Sequence, residues 1–140
     1  IQKLYEASNA GVSIQMVVRG ICCLIPGVKG MSDNIEVISI IDRYLEHPRV
    51  YIFENAAKRK VYISSADFMT RNIENRVEVA VPIYDTSLQQ EIIDVFDITW
   101  KDNNKARIIN KHPQNQFKKS SGENVRSQWA IYDYYNNQLE

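Results

Sequence analysis

The sequence has few cysteines and no long apolar run, and these two absences exclude several classes of protein. Its only cysteines, Cys22 and Cys23, are adjacent, so a disulfide between them would close a strained ring. Their spacing does not match that of zinc ligands either. No run of roughly 18 apolar residues is present, which excludes a transmembrane helix. We therefore expect a domain from a reducing, cytoplasmic compartment.

Glycine-rich phosphate-binding motifs are also missing, because the sequence contains neither a P-loop nor a G-x-G-x-x-G pattern. A nucleotide would have to be bound by arginines and loops. Seventeen basic residues balance seventeen acidic ones, so the net charge indicates no partner. The charge is unevenly spread, however: residues 101–126 hold seven Lys or Arg against two acids, whereas residues 85–97 hold four acids and no base.

Apolar periodicity predicts an α/β domain in which helices flank a mixed β-sheet. The expected elements are a helix over 1–10, a strand over 12–19, a helix over 34–46, a hairpin of strands 49–54 and 60–64, a strand over 77–83, a helix from 85 or 86 to 100, and a helix near 124–138. Ser32 or Asp33 is the expected cap of the second helix, whose inner face would hold Ile35, Ile38, Ile41 and Leu45. Because the chain begins with Ile, we expect an upstream part.

Arg19 is the first candidate for a binding residue. It follows a buried strand and precedes a glycine-containing loop, at the carboxyl end of a strand where α/β sheets commonly bind ligands. A guanidinium there suits phosphate oxygens. A salt bridge to a neighbouring helix is the alternative.

His47 and Arg49 form an H-x-R pair at the start of a predicted strand. In extended backbone both side chains point to the same side, which places a titratable imidazole beside a permanent positive charge. The pair could assist chemistry at a phosphoryl oxygen, or His47 could simply bond the last carbonyls of a helix. The second histidine, His112, is expected at the surface.

The stretch from Ser64 to Glu78 combines small hydroxyl residues at a strand end with Arg71 and Arg76, a pattern that favours anion binding. Ser, Asp and Asn also form turns, and Asp67 could tie the loop to its own backbone. Near the carboxyl end, lysines beside Trp129 and Tyr132 suggest nucleic-acid binding. We rank that hypothesis lower, because these two aromatic residues share one helical face and are expected in the core.

Longer motifs resemble the carboxyl-terminal domain of bacterial polyphosphate kinases of the long, class-one type. They are VVRGIC at 17–22, SDNI at 32–35, DRYLEH at 42–47, RVYIFEN at 49–55, VYISSADFMTRN at 61–72 and AIYDY at 130–134. The resemblance implies a phospholipase D-like fold. It also implies that residues 1–140 are a single domain and make up most of the last of the four domains in chains of this family. In that superfamily H-x-K stands where this chain has His47-Pro48-Arg49, so the missing lysine speaks against the alternative of a phosphodiesterase.

The resemblance also implies an activity, the reversible transfer of the terminal phosphate of ATP to polyphosphate through a phosphohistidine upstream of this chain. Arg19 would contact ATP phosphates. His47 would be catalytic at the nucleotide, by proton donation or charge stabilisation, and Arg71 would be a further phosphate contact. The ligands of the Mg²⁺ that accompanies ATP would lie outside these residues.

The partners implied are ATP or ADP, inorganic polyphosphate, the preceding domains and further copies of the same chain, with no nucleic acid. The implied location is cytoplasmic, with peripheral membrane association left open. Because the nucleophile is upstream, the isolated residues are expected to be inactive and to act at most as a nucleotide- or polyphosphate-binding module. The basic segment 101–126 is a candidate entrance for the polyanion.

Overall fold

A computed structural model describes residues 1–112 and 114–138 of the chain. The chain forms two compact units, one made of Ile1–Tyr44 with Ile98–Glu140 and the other of Leu45–Asp97. The elements are α1 (Gln2–Asn9), β1 (Ile14–Val17), β2 (Ile35–Ser39), β3 (Val50–Phe53), β4 (Lys60–Ser64), α2 (Thr70–Asn75), β5 (Ala80–Ile83), α3 (Thr86–Lys101), β6 (Arg107–Ile109) and α4 (Ser127–Asn136). The predicted α/β class is confirmed.

The first unit contains a mixed three-stranded sheet in the order β1-β2-β6. β1 runs parallel to β2, and β6 pairs antiparallel with the other edge of β2. Two buried clusters form its core: Leu24, Ile35 and Val37 in one, and Ile38, Ile40 and Ala106 in the other. The central strand β2 supplies residues to both clusters, because its two faces are both covered.

The helix predicted over residues 34–46 is wrong, since β2 and irregular backbone occupy that segment. The isoleucines are β-branched and fit a strand that is buried on both sides. Ile35 and Ile38 are buried as expected, but Ile41 and Leu45 are 71% and 83% exposed. Ser32 caps no helix; its hydroxyl donates to the Ile25 carbonyl at 2.7 Å and accepts from the Val28 amide at 2.9 Å, which closes a loop.

Asp102 joins α3, β6 and α4 through its buried carboxylate. Oδ1 accepts hydrogen bonds from the amides of Asn104, Lys105 and Ala106 at 3.0, 2.7 and 2.9 Å. Oδ2 accepts from the amide of Ser127, the first residue of α4, at 2.7 Å. One side chain thus satisfies four backbone donors, including one at a helix start.

The terminal helices α1 and α4 are confirmed. Within α4, however, Tyr132 is 62% exposed, so the expectation that it lies in the core is wrong. Trp129 is partly exposed and packs edge-on against Tyr44, with the guanidinium of Arg126 5.5 Å from its ring centroid. Arg126 in turn forms a two-point ion pair with Asp42, at 2.7 and 2.6 Å.

The second unit contains an antiparallel sheet in the order β3-β4-β5. The predicted hairpin is confirmed as β3 and β4, and α3 is confirmed with Asp85 as its cap, since Oδ1 accepts from the Ser87 amide at 2.8 Å.

Two short elements, α2 of the second unit and β6 of the first, were not predicted. With six and three residues they are too short to produce a distinct periodic pattern.

Candidate functional site

Three strand ends of the second unit converge on one edge of its sheet. Because β3 and β4 are antiparallel, the start of β3 lies beside the end of β4, and the Ser64 amide donates to the Arg49 carbonyl at 2.8 Å. On the other side of β4, Ser64 is paired with Ala80 at the start of β5. The fold thereby brings residues 47–49, 64–67 and 78 to one edge, although they are distant in sequence.

His47, Arg49 and Asp67 form a three-membered polar cluster at this edge. Arg49 Nε donates to Asp67 Oδ1 at 2.9 Å, and Arg49 Nη2 lies 2.8 Å from His47 Nε2. His47 Nε2 also lies 3.3 Å from Asp67 Oδ1. The contact between His47 and Arg49 confirms that the two side chains point to the same side, as extended backbone predicts. Asp67 therefore bonds this pair through its carboxylate, instead of serving only as a turn residue.

The electrostatics of the cluster keep its carboxylate ionised. The hydrogen bond from Arg49 lowers the pKa of Asp67, with burial opposing it and His47 adding a smaller effect in the same direction. The same hydrogen bond raises the pKa of Arg49. The His47 side chain is 49% exposed, whereas those of Arg49 and Asp67 are 23% and 29% exposed. The imidazole is therefore the most accessible member of the cluster.

A second polar network lies beside the first and is built around Glu78. The Ser65 hydroxyl donates to Glu78 Oε2, and Asn72 Nδ2 donates to Oε1 at 2.7 Å. These hydrogen bonds, that of Ser65 first, lower the pKa of Glu78, and the charge of Arg76 assists. The Val79 amide also donates to Ser65 Oγ at 3.1 Å. The network fixes the segment after β4 against the start of β5.

Aromatic packing supports the loop that carries Asp67. The Tyr51 hydroxyl donates to the Ala66 carbonyl at 3.1 Å, and its ring stacks on Phe68 with centroids 5.0 Å apart. Burial raises the pKa of Tyr51, so the hydroxyl remains a donor at neutral pH. Residues on both sides of Asp67 are therefore held to β3, the strand that follows Arg49.

The other predicted site residues belong to other segments of the chain. Arg71 is an exposed residue in the first turn of α2, a helix of the second unit. Arg19 belongs to the first unit, two residues beyond the end of β1, where the Ser39 hydroxyl donates to its carbonyl at 3.3 Å. This is the strand-end position that the sequence predicts. His112 is exposed, as expected.

The polar partners of His47 were only partly foreseen. The H-x-R spacing predicts the contact with Arg49, but it gives no sign that Asp67 or Glu78 lies nearby. A polar residue directly after the second strand of a hairpin is the available signal, because that position lies beside the start of the first strand.

The residues at this edge do not fit a magnesium site. Across residues 1–112 and 114–138, no group of three or more His, Cys, Asp or Glu could hold a metal ion. The two carboxylates of the site are engaged by Arg49 and by Ser65 with Asn72. Within the same described residues, no helix is both long and apolar enough to cross a membrane.

The α/β fold places Arg19, His47 and Arg49 next to strand ends, and guanidinium groups suit phosphate oxygens. Residues 1–128 match the family model of the polyphosphate kinase C-terminal domain 2. The chain therefore belongs to this family, as the resemblance in its motifs indicates.

Individual relatives agree with this assignment. The chain is 54% identical over 138 residues to a polyphosphate kinase of Vibrio parahaemolyticus and 53% identical over 135 residues to one of Escherichia coli (strain K12). These alignments cover 98% and 96% of this chain, but 20% of each relative, so the chain spans about one fifth of their length. The crystal structure of a polyphosphate kinase from Porphyromonas gingivalis is similar over 97% of this chain and 21% of that one, with a TM-score of 0.94 and 47% identity.

Proposed function

We propose that the protein to which this chain belongs is an ATP–polyphosphate phosphotransferase, and that this chain supplies part of its ATP- and phosphate-binding site. The observation that carries the proposal is the 54% identity, over 98% of the chain, to a protein named polyphosphate kinase. The relatives do not favour the phosphodiesterase alternative. Arg49 in place of the lysine of the H-x-K pattern is consistent with that preference.

In the proposed reaction the bond between the terminal phosphorus of ATP and its bridging oxygen breaks, while a bond forms from that phosphorus to a nitrogen of an upstream histidine. The electron pair of the broken bond stays on the oxygen of the departing ADP. Such transfers depend mainly on alignment and on neutralising the phosphate charge. Cationic side chains and hydrogen-bond donors are therefore a sufficient contribution from this chain.

We assign His47 the role of donor to a phosphoryl oxygen, because its imidazole is the most accessible group of the cluster and lies beside the permanent charge of Arg49. Arg71 is proposed as a phosphate contact on the strength of its motif and its exposure in α2. Arg19 is proposed as an ATP-phosphate contact from its motif and its place after β1.

The remaining components of the proposal come from the family resemblance. Mg²⁺ would accompany ATP and be held by residues outside this chain or by the phosphates themselves. The preceding domains would supply the phosphorylated histidine, further copies of the chain would form a homo-oligomer, and the location would be cytoplasmic. The 140 residues alone would bind substrate at most.

The test is ATP-dependent synthesis of polyphosphate by the full-length protein. His47→Ala and Arg19→Ala should each reduce synthesis strongly while the protein stays folded. His112→Ala is the matched control, because it removes the other histidine of this chain from an exposed position. A full-length protein that makes no polyphosphate would refute the activity. Near-normal turnover of His47→Ala or Arg19→Ala would refute that residue's assignment.

A further inference from the structure

We propose that Asp67 is a positioning residue that decides which ring nitrogen of His47 holds the proton offered to a phosphoryl oxygen. The inference rests on the proposed function, and it goes beyond it by adding a residue that acts through the two neighbouring side chains. Its basis is that the ring's contacts, among the residues that the structure describes, fall on one nitrogen, Nε2.

The two groups at Nε2 make opposite demands on the proton. Arg49 Nη2 can only donate, so its 2.8 Å contact requires Nε2 to accept and places the proton of a neutral His47 on Nδ1. Ionised Asp67 can only accept, so its 3.3 Å contact becomes a hydrogen bond when Nε2 carries a proton. The shorter contact with Arg49 identifies the first arrangement as the one in this structure.

Asp67 takes part in both arrangements. In the first, its Oδ1 accepts from Arg49 Nε at 2.9 Å, which orients the planar guanidinium so that Nη2 reaches His47. In the second, the same oxygen accepts a hydrogen bond from the Nε2–H group of a charged imidazole. Asp67 therefore leaves Nδ1–H as the donor available to a ligand in the neutral and in the charged state.

Other carboxylates of the unit do not offer this contact. Glu78 is engaged by Ser65 and Asn72, and its charge acts on Arg49 from a greater distance. The charged groups that face His47 from the packed elements are thus Arg49 before β3 and Asp67 after β4, with Glu78 before β5 acting through Arg49.

The chemical consequence concerns proton donation. If charged His47 gives the Nδ1 proton to the oxygen that leaves with ADP, Nδ1 keeps the electron pair of its broken N–H bond, and the proton on Nε2 stays bonded to Asp67. The imidazole ends neutral, and the oxygen gains the proton.

The experiment compares full-length Asp67→Asn with Asp97→Asn. Asp97 is an exposed carboxylate on α3, and its replacement removes the same charge from the same unit. We expect Asp67→Asn to lower kcat by about tenfold or more, with KM for ATP within about threefold. The loss falls on kcat, because the neutral amide no longer orients Arg49 and the ring of His47 for donation. Asp97→Asn should match the wild type.

Asp67→Glu provides the second variant, since it restores the charge on a longer side chain. It should recover part of kcat, with KM for ATP again within about threefold of the wild type. The inference is overturned if Asp67→Asn has a wild-type kcat, or if Asp67→Glu recovers none of the lost kcat while its thermal stability is normal. Should wild-type protein make polyphosphate and His47→Ala abolish it, either of these results would refute the role of Asp67 alone and leave the proposed function standing.

Discussion

Asp102 offers a test of the fold that can be worked through in free energy. Its carboxylate is fully buried and accepts four backbone hydrogen bonds, from Asn104, Lys105, Ala106 and Ser127. Asp102→Ala leaves these four donors without their acceptor and opens space where the carboxyl group was. The loss affects the end of α3, the approach to β6 and the start of α4 together.

The size of the effect follows from the number of donors. A buried N–H that loses its acceptor costs about 1–3 kcal/mol, but relaxation and entering water recover part of the sum, so we expect Asp102→Ala to lower the free energy of unfolding by about 3–5 kcal/mol. Asp102→Asn keeps the oxygen that accepts from three amides. It places an NH₂ group against the Ser127 amide, and the expected loss is smaller, about 2 kcal/mol.

Urea unfolding of the 140-residue chain, followed by tryptophan fluorescence, measures these losses. Both tryptophans of these residues, Trp100 and Trp129, belong to the unit that contains Asp102. Asp97→Asn is the control and should change the free energy of unfolding by less than about 0.5 kcal/mol. An Asp102→Ala variant within about 1 kcal/mol of the wild type would refute the reasoning, since it would mean that the four amides find other acceptors.

The same residue gives a pH dependence whose sign is fixed. Burial raises the pKa of Asp102, but the hydrogen bonds from Ser127, Lys105 and Ala106 outweigh it, so the net pKa is lowered. A lowered folded-state pKa stabilises the fold above the ordinary value, and this contribution is lost as pH falls through the folded-state value. The stability gap between wild type and Asp102→Asn should therefore be constant near neutral pH and narrow below about pH 4.

Two further predictions concern charge. Arg49→Lys retains a positive charge but not the fork that contacts both Asp67 and His47, so we expect kcat for polyphosphate synthesis by the full-length protein to fall at least about tenfold. A wild-type kcat would show that charge alone suffices. Within the basic segment, Lys111 and Lys119 are exposed. Replacing both with Glu should raise the apparent KM for long polyphosphate at low salt, and the increase should shrink as salt is added. The KM is measured in the reverse reaction, in which polyphosphate is the substrate. An unchanged KM would exclude the segment as an entrance.

The outline of the second unit could be predicted because its pattern is local. Strands β3 and β4 are separated by a short turn, and the α3 helix has a long apolar stripe after a capping Asp85. In each case the periodicity within one segment was enough to indicate the element.

The misassigned segment shows where local pattern fails. Isoleucines at 35 and 38 fit one face of a helix, but they equally fit a central strand whose two faces are buried. The choice was made by partners distant in sequence, since β1 and β6 cover both edges of β2. Only the pairing of those strands distinguishes the two patterns.

The candidate site divides in the same way. The proximity of His47 and Arg49 follows from the alternation of side chains in extended backbone. The contacts with Asp67 depend on the register between β3 and β4, which places Ser64 beside Arg49 and so brings the following loop to the same edge. Because spacing along the chain does not specify register, the sequence leaves two alternatives for Asp67, a place in an anion-binding segment or a turn residue.

The measurement that tests the central claim most directly is a single turnover of labelled ATP by the full-length protein. The phosphoenzyme is quantified in time for wild type, His47→Ala and the control His112→Ala. If His47 acts at the transferring phosphate, His47→Ala should slow phosphoenzyme formation by about 100-fold or more at saturating ATP, while His112→Ala stays at the wild-type rate. Formation of the phosphoenzyme by His47→Ala within about threefold of the wild-type rate would contradict the account.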